Sequence, residues 1–209
     1  MLALRLACPI TSALSAGALS ILLFAGCGRS TSTGIELPSV DAHSAAAEAI
    51  EQYDKDGDAH LNDAELAACP AINNVRQRYD KDGDRQVSEE EIAQRLEQLY
   101  STGTGLLEVR CTVTRGGRPL ANATVRFVPE PFLADALQTA TGTTDSSGLA
   151  MPGISADQLP ENLTSAQLMQ VGLYRVEIEH PTISPSGSKP LGFEVDPSSR
   201  DGTMAQVNL

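Results

Sequence analysis

Two short stretches of this chain carry carboxylates at a spacing that suits a hard cation. Asp54, Asp56 and Asp58 alternate along the first, and Asp80, Asp82 and Asp84 along the second. The motif Tyr53-Asp54-Lys55-Asp56-Gly57-Asp58 recurs 26 residues later as Tyr79-Asp80-Lys81-Asp82-Gly83-Asp84, and Leu61, Glu65 and Leu66 recur as Val87, Glu91 and Ile92. Calcium takes six to eight oxygen ligands, and loops dense in carboxylates supply them. A solvated acidic turn would account for one such stretch. Two in register, each with apolar periodicity on its flanks, point to a pair of cation sites.

Each copy resembles the EF-hand calcium loop, Asp54–Glu65 in the first and Asp80–Glu91 in the second. The resemblance implies ligands at loop positions 1, 3, 5, 7, 9 and 12. Asp54, Asp56 and Asp58, and Asp80, Asp82 and Asp84, would supply the first three carboxylates. His60 and Gln86 would each give a backbone carbonyl at position 7. Asn62 and Ser88 would act at position 9, often through water, and Glu65 and Glu91 would bind through both oxygens at position 12. One departure concerns position 6, normally glycine, which is Ala59 in one loop and Arg85 in the other. A Cβ in the left-handed region costs about 1–2 kcal/mol, which predicts affinities roughly tenfold weaker if only the bound state bears that strain.

Helices must hold these loops. Ala46, Ala49, Ile50 and Tyr53 form an apolar stripe leading into the first loop, and Ile72, Val75 and Tyr79 one leading into the second. Ile92, Leu96 and Leu99 continue out of the second. Asn62 and Ser88, each followed three residues later by Glu, read as capping boxes, so each outgoing helix starts inside its loop. Only fourteen residues, Leu66–Tyr79, join the loops, and Pro70 interrupts them. The first outgoing helix must be short, which favours structural calcium over a sensor's opening motion.

After Ser101-Thr102-Gly103-Thr104-Gly105 the apolar period falls to two. Leu107, Val109, Cys111 and Val113 alternate with polar residues. So do Ala123, Val125 and Phe127, then Tyr174, Val176 and Ile178, then Leu191, Phe193 and Val195, then Ala205, Val207 and Leu209. Gly116-Gly117 turns the chain, and Ala156–Gln170 breaks the pattern, which predicts a short helix there. Strands with one face on a core and one in solvent are the mark of an antiparallel sandwich. The segments Gly117-Arg118-Pro119-Leu120-Ala121-Asn122-Ala123-Thr124-Val125, Gly142-Thr143-Thr144-Asp145-Ser146-Ser147-Gly148 and Gly172-Leu173-Tyr174-Arg175-Val176 resemble carboxypeptidase-regulatory-like, transthyretin-related β-sandwiches. That resemblance implies a seven-stranded domain over roughly residues 105–209 without catalysis of its own. Two enzymatic relatives of similar topology do not fit. Intradiol dioxygenases need Tyr and His pairs where this half has one Tyr174 and one His180, and hydroxyisourate hydrolases need a different ending from Gln206-Val207-Asn208-Leu209.

The N-terminus reads as an export signal. One positive charge, Arg5, precedes an apolar run from about Ile10 to Gly26, ending Leu23-Phe24-Ala25-Gly26-Cys27. The Ala-Gly-Cys ending resembles the lipobox of bacterial lipoproteins, which implies that Cys27 is acylated. Phe24 stands where the usual pattern has Leu. An uncleaved anchor is the alternative, though the run falls short of the ~20 apolar residues of a spanning helix; an ordinary thiol after a plain signal is another. Residues 28–40 are small and polar, the chemistry of a tether. Of the remaining cysteines, Cys111 falls in the apolar phase of its strand, and free thiols at Cys69 and Cys111 are favoured over a bridge between them.

The 209 residues carry a net charge of −12, no Trp and only 4% aromatics, which excludes a nucleic-acid surface. His43, His60 and His180 share no motif, and no nucleophile elbow, phosphate loop or zinc spacing occurs. The expected organisation is α+β in two domains: signal peptide 1–26, tether 27–40 behind a lipidated Cys27, an α-helical EF-hand pair at 41–101, and an antiparallel transthyretin/Ig-like β-sandwich at 105–209. The expected function is that of a non-enzymatic calcium-binding lipoprotein, held at a bacterial cell-envelope membrane through Cys27 and facing the periplasm or surface. It would contact another protein or envelope component, with no small-molecule substrate evident. Ca2+ is the expected cofactor. A dockerin-like calcium-dependent docking module, or an enzyme with an unrecognised site, are the alternatives.

Overall fold

A computed structural model describes residues 39–183 and 190–209 of the chain. The expected signal peptide, Cys27 and all but the end of the tether lie outside the described residues. The first helix, α1 (Ala42–Tyr53), starts where Asp41 accepts the Ser44 N–H at 2.8 Å, satisfying a free donor of the first turn. Its buried stripe is Ala45, Ala46, Ala49 and Tyr53. Strand β1 (His60–Leu61) follows, then α2 (Asp63–Leu66), a single turn begun by the capping box of Asn62 and Glu65. Next come α3 (Pro70–Asn74), β2 (Val87–Ser88) and α4 (Glu89–Ser101). Ser88 and Glu91 form the capping box of α4, and three glutamates in its first turn complement the helix dipole.

The continuous helix expected over 72–79 is interrupted. Pro70 suits the first turn of α3, but Asn73 and Asn74 are poor helix formers and Val75 leaves helical backbone at φ −123°. A 3-10 turn, Arg76–Arg78, completes the approach to the second acidic loop.

The remaining strands are β3 (Leu106–Leu107), β4 (Arg110–Arg115), β5 (Arg118–Pro119), β6 (Thr124–Pro129), β7 (Ala140–Thr143), β8 (Leu149–Ala150), β9 (Met169–Gln170), β10 (Gly172–Glu179), β11 (Leu191–Val195) and β12 (Met204–Asn208). One sheet runs β11-β10-β6-β7, all antiparallel; a second runs β12-β4-β5, with β8 also on β4; β3 pairs with β9, and β1 with β2. The described residues thus form a mixed α+β fold of four α-helices and several sheets, antiparallel except for the pairing of β12 with β4. Gly116 and Gly117, at φ 55° and 75°, close the hairpin between β4 and β5 in the double left-handed turn that such a two-residue loop requires.

Three local expectations need correction. The strand read through Leu107–Val113 is two strands, β3 and β4, parted at Glu108-Val109. The helix expected in Ala156–Gln170 is a pair of 3-10 turns, Ala156–Gln158 and Glu161–Leu163, with Pro160 between them withholding an amide donor. The pairing of β12 with β4 is parallel, a long-range choice that alternation along one strand does not encode.

All described residues belong to one compact unit, Ile35–Leu209, with a single contiguous apolar core. Ala46, Leu61, Ile72 and Leu96 from the helical part join Val109, Phe127, Leu173 and Phe193 from the strands. Phe127 lies edge-on to both Tyr174 and Phe193, at 6.3 and 5.7 Å between ring centres. Helix α3 packs on β10 and β11. At Gly192 a Cβ would fall 2.0 Å from the Pro70 carbonyl carbon and oxygen, so only glycine admits this approach. Cys69 and Cys111 are buried free thiols, and burial pushes Cys111 up to about 12.

Candidate metal centre

Each acidic loop is organised by its own side chains. In the first, Asp54 accepts the Gly57 and Ala59 N–H groups at 2.7 and 2.9 Å, Asp56 accepts that of Asp58 at 3.3 Å, and Asp58 that of His60 at 2.9 Å. The second repeats the pattern. Asp80 accepts from Gly83 and Arg85 at 2.7 and 3.1 Å, Asp82 from Asp84 at 3.1 Å, and Asp84 from Gln86 at 2.7 Å. Ala59 and Arg85 adopt φ 65° and 72°, the left-handed backbone that position 6 demands and that side chains with a Cβ disfavour.

The ligating oxygens of Asp54, Asp56 and Asp58 lie within 4.8 Å of one another, as do those of Asp80, Asp82 and Asp84. Glu65 and Glu91 stand outside these clusters. Glu65 closes its loop by accepting the Lys55 and Asn62 N–H groups at 2.7 and 2.9 Å, and these bonds hold its carboxyl below the usual range. Glu91 accepts from Lys81 and Ser88 at 2.8 and 2.9 Å; burial opposes its charge, but the Ser88 and Lys81 bonds prevail and its pKa is lowered. Asn62 caps α2 and also donates to Asp56 at 3.2 Å, while Ser88 caps α4. His60 and Gln86 lie at the ends of the loops, and His60 and Leu61 pair with Ser88 and Val87, so β1 and β2 join the loops back to back. The His60 ring sits 2.9 Å from the Asp58 carbonyl, and the buried Gln86 Oε1 has no partner among the described residues.

The donor set suits a hard cation. Every converging group is a carboxylate oxygen, and no sulfur or imidazole takes part. Desolvation, and then the charges of Asp58, Glu65 and Asp54, raise the Asp56 pKa, whereas backbone hydrogen bonds lower those of Asp54 and Glu65. A bound cation would relieve that repulsion. The residues present are compatible with a hard divalent cation such as calcium, one at each triad. The six aspartates would hold it, with Glu65 and Glu91 at the loop ends.

Sequence reasoning missed a set of charged groups behind the loops. Tyr53, next to Asp54, donates to Glu130 at 3.0 Å. The same Glu130 accepts from Arg175 Nε at 2.8 Å and from the Ala71 N–H at 3.0 Å, while Arg175 also reaches the Tyr53 oxygen at 2.6 Å. Tyr79, next to Asp80, donates to Glu194 at 3.0 Å. Arg95 grips Glu194 with two nitrogens, at 3.2 and 2.6 Å, and Asp196 at 2.8 Å; Arg78 reaches both acids at 2.7 and 3.1 Å. Burial, then the Glu194 charge, push the Tyr79 hydroxyl far above its usual pKa; burial and Glu130 raise Tyr53 likewise. A signal was present: Tyr recurs at the same offset as the loops, and β11 carries an acid between two apolar residues.

No family model and no curated protein matches this chain. Among solved structures, the Bacillus anthracis TIE protein is similar with a TM-score of 0.30 and 15% identity, over 49% of this chain and 16% of that one. A likeness so slight carries no argument. Among the described residues, no helix is long and apolar enough to cross a membrane.

Proposed function

We propose that this chain is a non-enzymatic calcium-binding protein of the bacterial cell envelope, in which an EF-hand pair is built against a transthyretin-like β-sandwich. One observation carries the reading: two loops 26 residues apart repeat the same carboxylate-to-amide hydrogen bonds around converging aspartate triads. Coincidence would not reproduce the left-handed sixth residue and the capping glutamate in both copies. The two larger sheets, each burying alternate residues, support the sandwich. Export and anchoring through Cys27 rest on the N-terminal sequence alone, as does an envelope partner.

Calorimetric titration of the full chain with calcium tests the reading. Two ions bind, with dissociation constants of about 10⁻⁴–10⁻³ M, the range of extracellular modules. Glu65→Gln and Glu91→Gln each abolish one binding event, because position 12 offers both its oxygens. No heat of binding at millimolar calcium would sink the proposal.

A further inference from the structure

We infer that the tyrosine leading into each loop couples cation occupancy of that loop to a particular segment of the strand-built half. The inference rests on the calcium reading above and concerns how the occupied site is felt elsewhere. Tyr53 connects loop 54–65 to Glu130 and Arg175. Tyr79 connects loop 80–91 to Glu194, and through Arg78 and Arg95 to Asp196 and the turn that follows β11.

The two connections have the same construction. In each, the residue before the first loop aspartate reaches a glutamate that is wholly or almost wholly buried, Glu130 at 0% exposure and Glu194 at 2%. In each, arginine completes the charge balance. The backbone leaves little slack. The Tyr79 and Asp80 N–H groups both donate to the Arg76 carbonyl, at 2.8 and 2.9 Å, and the Asp54 N–H donates to the Ile50 carbonyl at 2.9 Å. A shift of the first aspartate therefore moves the tyrosine beside it.

Without a cation, the aspartates of each loop repel, and the left-handed residue at position 6 is held only by its N–H bond to the first aspartate. The loop loosens, and its tyrosine withdraws a hydrogen bond from a carboxylate that has no route to water. Buried ion groups tolerate the loss of a partner poorly. The disturbance therefore reaches β11 and the 196–203 turn, where Asp196 also holds the Ser198 N–H and hydroxyl at 2.8 and 2.6 Å. On the other side it reaches the end of β6 and the Pro131–Leu133 turn, where Phe132 lies edge-on to Tyr53. Linkage makes the effect mutual: whatever secures these carboxylates raises calcium affinity.

Hydrogen exchange of the full chain, read by mass spectrometry alongside the calcium titration, tests this. On chelation, exchange speeds by about tenfold or more in 191–203 and in 129–134, as local opening becomes easier. In saturating calcium, Glu91→Gln accelerates 191–203 more than 129–134, and Glu65→Gln ranks the segments in the reverse order. Tyr79→Phe, which deletes one hydroxyl and keeps the ring, makes exchange in 191–203 less responsive to calcium and weakens the second ion by roughly fivefold. If two ions bind yet both segments exchange within twofold with and without chelator, the coupling is overturned and the calcium reading stands. Unchanged calcium response in Tyr79→Phe also overturns it. If no ion binds, the calcium reading has failed and the coupling falls with it.

Discussion

The two acidic loops are near copies, but they are fastened to the rest of the molecule by different means. Loop 54–65 follows α1, three turns of regular helix with a capped start, and its anchor holds one arginine against one glutamate. Loop 80–91 follows five residues of α3 and a 3-10 turn. Its anchor gathers two arginines, two acids and a wholly buried tyrosine. Burial opposes the Arg95 charge, yet Glu194 and Asp196 hold its proton more firmly than usual. Where local structure defines the approach to a loop, a light anchor suffices. Where Asn73, Asn74 and Val75 leave the approach weak, tertiary ion pairs take over the positioning.

The sharpest way to break this comparison is to remove one glutamate from each anchor. Glu194→Ala leaves Arg95 and Arg78 facing a void, and stripping one partner from a buried ion group costs about 3–5 kcal/mol. Denaturant unfolding of the full chain in calcium measures it. Glu130→Ala lowers the midpoint less, because the Arg175 side chain is 37% exposed and reaches water. Equal losses would show that the anchors do not differ in weight.

A smaller effect sharpens the same contrast. Gly192→Ala drives a Cβ into the Pro70 backbone and separates α3 from β11, an overpacking that costs about 1–3 kcal/mol. Since α3 leads into the second loop alone, calorimetry finds the second ion weakened more than the first. Parallel losses at both ions would mean that α3 does not position loop 80–91.

The smallest effect probes what the loops have in common. Ala59→Gly and Arg85→Gly each relieve about 1 kcal/mol of left-handed strain, partly offset by the freedom glycine gains in the unfolded chain. Calcium binds up to about fivefold more tightly in each variant. A gain at one loop and none at the other would show that the turns differ as well as the anchors.

The loops were legible because their information is local. Carboxylate spacing, the recurring Asn62/Glu65 and Ser88/Glu91 caps, and the brevity of α2 all follow from neighbours in sequence. Alternation likewise marked Tyr174, Val176, Phe193 and Val195, which are all buried. The same alternation assigns Glu194 and Arg175 to a solvent face, and there it fails. Gly192, Glu194, Leu173 and Arg175 share the other side of the β10–β11 pair, and the helical part covers it. Which face of a sheet another element will cover depends on chain a hundred residues away. The parallel pairing of β12 with β4 was hidden for the same reason.

The two-residue ladder between β1 and β2 has a further consequence. His60 and Leu61 belong to one loop, and their partners Ser88 and Val87 belong to the other. Ordering either loop sets in place the edge on which the other must pair. The second loop to fill then surrenders less conformational freedom than the first. Under the calcium reading proposed above, the saturation curve would be steeper than a hyperbola, and a calorimetric titration that fits two independent sites would exclude this coupling.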